Sequence, residues 1–137
     1  MFAKIMLPID LVHADKLEKS LAAAASIAKA NNSAIHAVGV TGVAPGAAAH
    51  DPEEYAARLE GFCNKQSEER GVTFTPHSVK AVDVQVELDS KLQDAASEIG
   101  ADLIVMATHV PGIADHLFAS HGSHVAANAD ISVLLVR

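Results

Sequence analysis

The chain alternates five short apolar runs with four segments of helical periodicity, and this alternation restricts its fold more than any other feature. The apolar runs span residues 2–9, 34–41, 72–79, 101–108 and 131–137, and the helical segments span 15–30, 51–71, 89–100 and 120–128. Strands that alternate with helices predict an α/β fold in which helices cover both faces of a parallel sheet. Pro76 in the third run indicates an edge strand, because proline lacks the N–H that a central strand needs.

Candidate caps mark the ends of the helical segments. The predicted N-caps are Asp15, Asp51 (followed by Pro52) and Asp89, and the predicted stops are Asn31, Asn32, Gly71 and Gly100. Residues 42–50 are a loop of glycine, proline and alanine. Residues 80–88, KAVDVQVEL, stay open, because they alternate like an extended segment but stand where a loop is expected.

Length, charge and cysteine content exclude several classes of protein. The 137 residues have the size of one domain, so residues 1–137 are predicted to form a single unit. A net charge of −7 argues against nucleic-acid binding, which needs a basic surface. No apolar run approaches the ~20 residues of a membrane-spanning helix, and the N-terminus lacks the apolar core of a signal peptide. Cys63, the only cysteine, is expected to be a buried, inert thiol in a cytoplasmic protein.

Ligands of open parallel sheets bind beyond the carboxyl ends of the strands, where the winding reverses. Two strand ends are therefore of interest, LPID at residues 7–10 and MATHV at residues 106–110. The second of them opens the segment MATHVPGIADHLFASHGSH, residues 106–124, which holds two glycines, two serines and four histidines. This segment suits a phosphate cradle, a metal site or a plain loop.

The histidines of this segment are not expected to hold a metal ion. His121 and His124 share a helix face, but no cysteine accompanies them and the only nearby carboxylates are Asp115 and Asp130. A serine nucleophile is not expected either, because the G-x-S-x-G turn is missing. Solvated side chains or phosphate-facing donors are the favoured interpretation.

The sequence resembles the universal stress protein family over its whole length. The resemblance is carried by KIMLPID at residues 4–10, IHAVGVT at 35–41, GADLIVMATH at 100–109 and SVLLVR at 132–137. The segment from Ala107 to Arg137 looks most like the F/G-type enterobacterial branch. The resemblance implies a single-domain, open parallel sheet of five strands in the order 3-2-1-4-5, a Rossmann-like fold of the adenine nucleotide alpha hydrolase type.

The resemblance also implies an adenine nucleotide, ATP or AMP with or without Mg²⁺, as the cofactor. The residues that it places at the adenosine are Pro8, Ile9, Asp10 and Val40, and those at the sugar and phosphates are Ala107, His109, Val110, Gly112, Ala119, Ser120, His121 and Gly122. The family's three phosphate-loop glycines fall on Ala107, Val110 and Ala119, whereas His109 and Ser120 match. The prediction is a modified phosphate loop, in which backbone N–H groups of residues 120–122 and the Ser120 hydroxyl contact the phosphates.

A regulatory function is expected rather than an enzymatic one. The sequence has no P-loop lysine, so any ATP hydrolysis should be slow. The apolar strand at residues 131–137 predicts a homodimer, or a dimer of dimers, and the family implies a further, unidentified protein partner. The alternative is a homodimeric interaction module of the stress response that has lost nucleotide binding.

Overall fold

Five parallel strands form one sheet in the order β3-β2-β1-β4-β5 in the computed structural model, which describes residues 1–108 and 121–137. The strands are β1 (Lys4–Pro8), β2 (Ala34–Gly42), β3 (Phe74–Ala81), β4 (Leu103–Ala107) and β5 (Ser132–Val136). The helices are α1 (Glu18–Asn31), α2 (Pro52–Arg70), α3 (Val84–Ile99) and α4 (Gly122–Asn128), with a 3-10 helix at Leu11–Lys16. The predicted α/β fold and strand order are confirmed.

Each face of the sheet carries its own apolar core. Ile5, Leu7 and Ile35 point to the side of α1 and α2, where Leu21, Leu59 and the buried thiol of Cys63 pack against them. Met6, Val38 and Ile104 point to the opposite side, where they meet Leu88 and Leu92 of α3. Alternate residues of a strand face opposite sides of its sheet, so helices on both faces require strands that are apolar throughout.

The chain forms these helices where caps are available. Asp51 accepts from the backbone N–H of Glu54 at the start of α2, and Gly71 ends this helix in the left-handed conformation. Asn32 and Gly100 end α1 and α3 in the same conformation. These caps confirm the predicted stops, and the edge position of β3 confirms the prediction made from Pro76.

Two predicted helix starts are wrong. Asp15 lies inside the 3-10 helix, which Asp10 caps, and α1 begins only at Glu18 without a side-chain cap. Asp89 lies within α3, which begins at Val84 after the N-cap Asp83. Residues 80–88 therefore divide between the end of β3 and the first turns of α3. In both cases the helical region starts at the first aspartate after the strand. The carboxylate of this residue accepts from a backbone N–H group in the first turn that has no partner within the helix.

Candidate functional site

A crevice of about 400 Å³ lies beyond the carboxyl ends of β1 and β2. Its walls are residues 9–12 after β1, residues 40–42 at the end of β2, the loop at 44–49, Tyr55 of α2, and Val84 and Gln85 of α3. The volume falls within the range of about 300–1,000 Å³ that is usual for small-molecule sites. The crevice therefore occupies the position at which open parallel sheets bind their ligands.

Asp10 brings a nearly buried carboxylate to this crevice. The Ile9 N–H donates to the Val38 carbonyl at 2.8 Å, which extends the β1–β2 ladder up to the turn. One Asp10 oxygen accepts from the Val12 N–H at 3.2 Å, and the other lies 2.9 Å from Nδ1 of His13. Asp10 is only 5% exposed. Strand β1 and the 3-10 helix thus fix a hydrogen-bonding acceptor at the crevice wall.

Tyr55 packs over the backbone of β2 on the α2 side of the crevice. Its ring approaches Gly39 so closely that a Cβ atom there would lie 2.9 Å from two ring carbons. Burial raises the pKa of Tyr55, and the nearby Asp10 charge adds to this rise. The hydroxyl therefore stays protonated beside the carboxylate. The sequence indicated Tyr55 only as part of an apolar helix face, since nothing in it shows which strand the ring covers.

The loop of residues 44–49 forms the outer wall and is held by the first turns of α2. The Gly46 N–H donates to the Ala49 carbonyl at 3.0 Å. Arg58 donates to the Ala48 carbonyl at 2.7 Å and forms an ion pair with Glu54 at 2.6 Å. A loop without regular structure can form a defined binding wall when side chains fix its carbonyl groups. Its role at the site was missed, because small apolar residues carry no chemical signal.

The structure brings only part of the predicted nucleotide site together. Ile9, Asp10 and Val40 line the same crevice. Pro8 is the buried end of β1 and Ala107 the buried end of β4, and neither lines the crevice that the described residues form. The predicted phosphate contacts His109, Val110, Gly112, Ala119 and Ser120 lie outside the described residues.

His121 and Gly122 stand at the start of α4. Nδ1 of His121 lies 2.8 Å from one oxygen of Asp89, and Nδ1 of His124 lies 2.6 Å from the other. This contact ties α4 to α3. Gly122 packs against Thr108, whose side chain a Cβ atom at position 122 would overlap. Neither residue lines the crevice that the described residues form.

The described part of the chain gathers no group of three or more histidine, cysteine, aspartate or glutamate side chains that could hold a metal ion. It also contains no helix long and apolar enough to cross a membrane. A smaller cavity of about 160 Å³ lies between α3 and the connection from α4 to β5, at the opposite end of the sheet. None of the predicted site residues lines it.

The whole chain, residues 1–137, matches the sequence model of the Universal stress protein family. Its curated relatives include Universal stress protein G of Shigella flexneri and of Escherichia coli O157:H7. Each is 29% identical over 146 residues, with 100% of this chain and 100% of the relative covered.

Solved structures of similar fold include a universal stress protein from Archaeoglobus fulgidus, with a TM-score of 0.73, 19% identity and full coverage of both chains. A universal stress protein in complex with cAMP has a TM-score of 0.70 and 21% identity, covering 99% of this chain and 97% of its own. A structure of a universal stress protein from Archaeoglobus fulgidus in complex with dAMP has a TM-score of 0.69 and 20% identity, covering 98% of each chain. At these identities, the likeness shows the fold.

Proposed function

We propose that this chain, which belongs to the universal stress protein family, binds an adenine nucleotide in the crevice at the carboxyl ends of β1 and β2. The observation that carries the proposal is the nearly buried carboxylate of Asp10 at the wall of a 400 Å³ crevice. Two structures with the same fold, described as complexes with cAMP and with dAMP, support a nucleotide as the ligand.

The crevice offers suitable surfaces for the two halves of a nucleoside. Ile9, Val40 and the alanines of the loop form apolar walls, against which a planar base can lie. Asp10 supplies a carboxylate, which is the acceptor that ribose hydroxyls commonly meet in dinucleotide-binding sheets. With a net charge of −7, the chain repels a polyanion at long range. We therefore expect an affinity on the order of micromolar.

For the phosphates we propose the segment that follows β4, including Ser120. Binding by such a loop rests on backbone N–H groups and one hydroxyl rather than on a lysine. Ser120→Ala is expected to weaken ATP about ten- to hundredfold, since a hydrogen bond to a charged group contributes roughly 1.5–3 kcal/mol. The same substitution should weaken AMP less, because AMP has a single phosphate.

The crevice itself is tested by filling it. A Cβ atom at Gly42 would make ordinary contact with Val84 at 3.8 Å, so Gly42→Leu places a larger side chain in the crevice without backbone strain. The matched control is Gly61→Leu on the exposed side of α2, where a Cβ atom has open space. In calorimetric titrations with AMP and ATP, we expect Gly42→Leu to lose at least tenfold in affinity and Gly61→Leu to bind like the parent chain.

The result that would overturn the proposal is an unmutated chain that binds neither AMP nor ATP at millimolar concentration. The alternative would then stand, in which the chain is an interaction module without nucleotide. The absence of the three phosphate-loop glycines at positions 107, 110 and 119 favours this alternative. Equal binding by the parent and the Gly42→Leu variant would instead place the nucleotide elsewhere.

We further propose that the chain acts in the cytoplasm as a homodimeric regulator of the stress response and binds a protein partner. The dimer is proposed to form along β5, which is an edge of the sheet that the described residues build. A binding rather than catalytic role is supported by the sequence, which has no P-loop lysine. ATP turnover measured at saturating nucleotide and faster than about one per second would contradict this part of the proposal.

A further inference from the structure

Two histidines on neighbouring strands face each other on the α3 side of the sheet. Nδ1 of His36 in β2 lies 2.8 Å from Nε2 of His77 in β3, and their ring centroids are 5.0 Å apart. Strand alternation places His36 with Val38 and His77 with Val79, beside the second core. The pair lies toward the amino end of β2, away from the crevice, which meets β2 at residues 40–42.

Both imidazoles are set up to be neutral near pH 7. Burial lowers the pKa of His36, and the charges of His77 and Lys4 lower it further. Burial also lowers the pKa of His77. A neutral imidazole has one nitrogen that carries a proton and one with a lone pair. In the structure the 2.8 Å contact is a hydrogen bond, in which one inner nitrogen donates its proton to the other. When that proton moves to the outer nitrogen of its own ring, both inner nitrogens present lone pairs to the space between the rings.

We propose that His36 and His77 form a two-histidine chelate for a borderline divalent transition-metal ion, Cu²⁺, Ni²⁺ or Zn²⁺. Imidazole nitrogen suits these ions, and Cu²⁺ binds most tightly of the three. Water completes the coordination, because both rings are only half-buried. The proposal is independent of the nucleotide site, since it uses different residues at a different end of the sheet.

The distance between the two inner nitrogens is close to that of a pair bound to one metal ion. With metal–nitrogen bonds of about 2.0–2.1 Å, two cis imidazole nitrogens lie about 2.9 Å apart in square-planar geometry and about 3.3 Å apart in tetrahedral geometry. The corresponding ring centroids are about 4.5–5.2 Å apart. The 2.8 Å between the nitrogens is close to the square-planar value, whereas the 5.0 Å between the centroids is longer than the distance of about 4.5 Å in that geometry, because the hydrogen-bonded rings point at each other. The rings therefore need to turn rather than to move apart.

The charged groups beside the pair have opposite effects. Lys4 approaches from β1, but its ammonium donates to the Ile99 carbonyl at the end of α3, at 3.2 Å. Its positive charge weakens metal binding without occupying the space between the rings. Glu98 of α3 lines the same cleft as His77 and attracts a cation. The combination predicts a site of about micromolar affinity for Cu²⁺, weaker than a closed structural site with four ligands.

The test uses Cu²⁺ alone as the probe, added to chelator-stripped full-length chain at pH 7.5. Electron paramagnetic resonance is expected to show two imidazole nitrogens on the first equivalent of Cu²⁺. His36→Gln and His77→Gln should each remove one nitrogen and weaken binding at least tenfold in calorimetry. The matched control is His121→Gln with His124→Gln, which removes two other histidines, the N-cap residue and a first-turn residue of α4, and should leave the first equivalent unchanged.

A measurement on the unmutated chain covers the case in which a glutamine variant does not fold. Substoichiometric Cu²⁺ should broaden the imidazole proton resonances of His36 and His77 before those of the other six histidines. The proposal is overturned if other histidines broaden first. It is also overturned if both folded glutamine variants keep the affinity and the nitrogen count of the parent.

Discussion

A glycine and a tyrosine set the distance between β2 and α2 at the crevice. Gly39→Ala adds a methyl group that would overlap the Tyr55 hydroxyl and approach its ring to 2.9 Å. Overpacking of this kind costs about 1–3 kcal/mol, so we expect the free energy of unfolding in urea to fall by that amount. The matched control is Gly42→Ala on the same strand, where the nearest atom would lie 3.8 Å away. An unchanged urea midpoint for Gly39→Ala would contradict this packing.

The facing histidines make the stability of the fold depend on pH. Folding lowers the pKa of His36 and that of His77. As the pH falls, both side chains therefore become protonated in the unfolded chain at a higher pH than in the folded chain. The contribution of the two histidines to the free energy of unfolding is therefore complete above about pH 6.5, the approximate pKa of histidine in the unfolded chain, and it decreases below that pH.

We expect the free energy of unfolding of the parent, relative to that of a His36→Gln, His77→Gln double variant, to decrease from pH 7.5 to pH 5. Urea unfolding at several pH values measures it. Comparison with the double variant removes the effect of other groups that titrate in this range. A difference that stays constant across the range would contradict the prediction.

Sequence patterns could not reveal this pair, although each histidine is visible in the sequence. His36 and His77 are 41 residues apart, and only the parallel register of β2 and β3 brings them together. Asp10 was predictable for the opposite reason. It lies two residues beyond the end of β1, the central strand of the sheet, and the position of a central strand end depends on fold class alone. Local spacing thus identified a strand-end acid but not a cross-strand contact.

The first turn of α3 depends on Asp83. Its carboxylate accepts from the Val86 N–H at 3.3 Å, while Glu87 accepts from the Asp83 N–H at 2.6 Å. Loss of such a cap costs about 1 kcal/mol, so Asp83→Ala should lower the free energy of unfolding by this amount. The control is Asp94→Ala, an exposed change in the same helix. Equal effects of the two variants in urea titrations would show that Asp83 does not cap α3.

The start of α3 also shows why one element was misplaced in the prediction. Val82, Val84, Val86 and Leu88 alternate with polar residues, which is the pattern of a half-buried strand. In the structure, Val82 and Val86 are 85% and 78% exposed, Val84 is partly buried against the core, and only Leu88 is fully buried. The alternation of apolar and polar residues therefore does not correspond to alternate burial of the side chains. Asp83 followed by Glu87 was the more informative signal, because it reflects backbone groups that a helix start must satisfy.

At the scale of the whole molecule, the two edge strands of the sheet differ in how well they can pair with a strand of another chain. Edge strand β3 makes extensive contact with α2 and α3, and contains Pro76, which weakens pairing with another strand. Edge strand β5 has no proline, and Leu134 and Leu135 remain 39% and 37% exposed. Strand alternation places these two leucines on opposite faces of the sheet. Of the two edges, β5 is the one suited to pairing with a second copy.

We therefore expect the chain to sediment as a dimer, at twice its mass of 14.2 kDa, at tens of micromolar. A combined Leu134→Lys and Leu135→Lys change should give monomers, since lysines on an edge strand oppose pairing between strands. Val82→Lys with Val86→Lys is the matched control, because it adds the same charge at two exposed apolar positions far from β5. A parent chain that sediments as a monomer would refute the dimer. A dimer that survives the leucine changes would place the interface on another surface, because the charges leave β5 unable to pair.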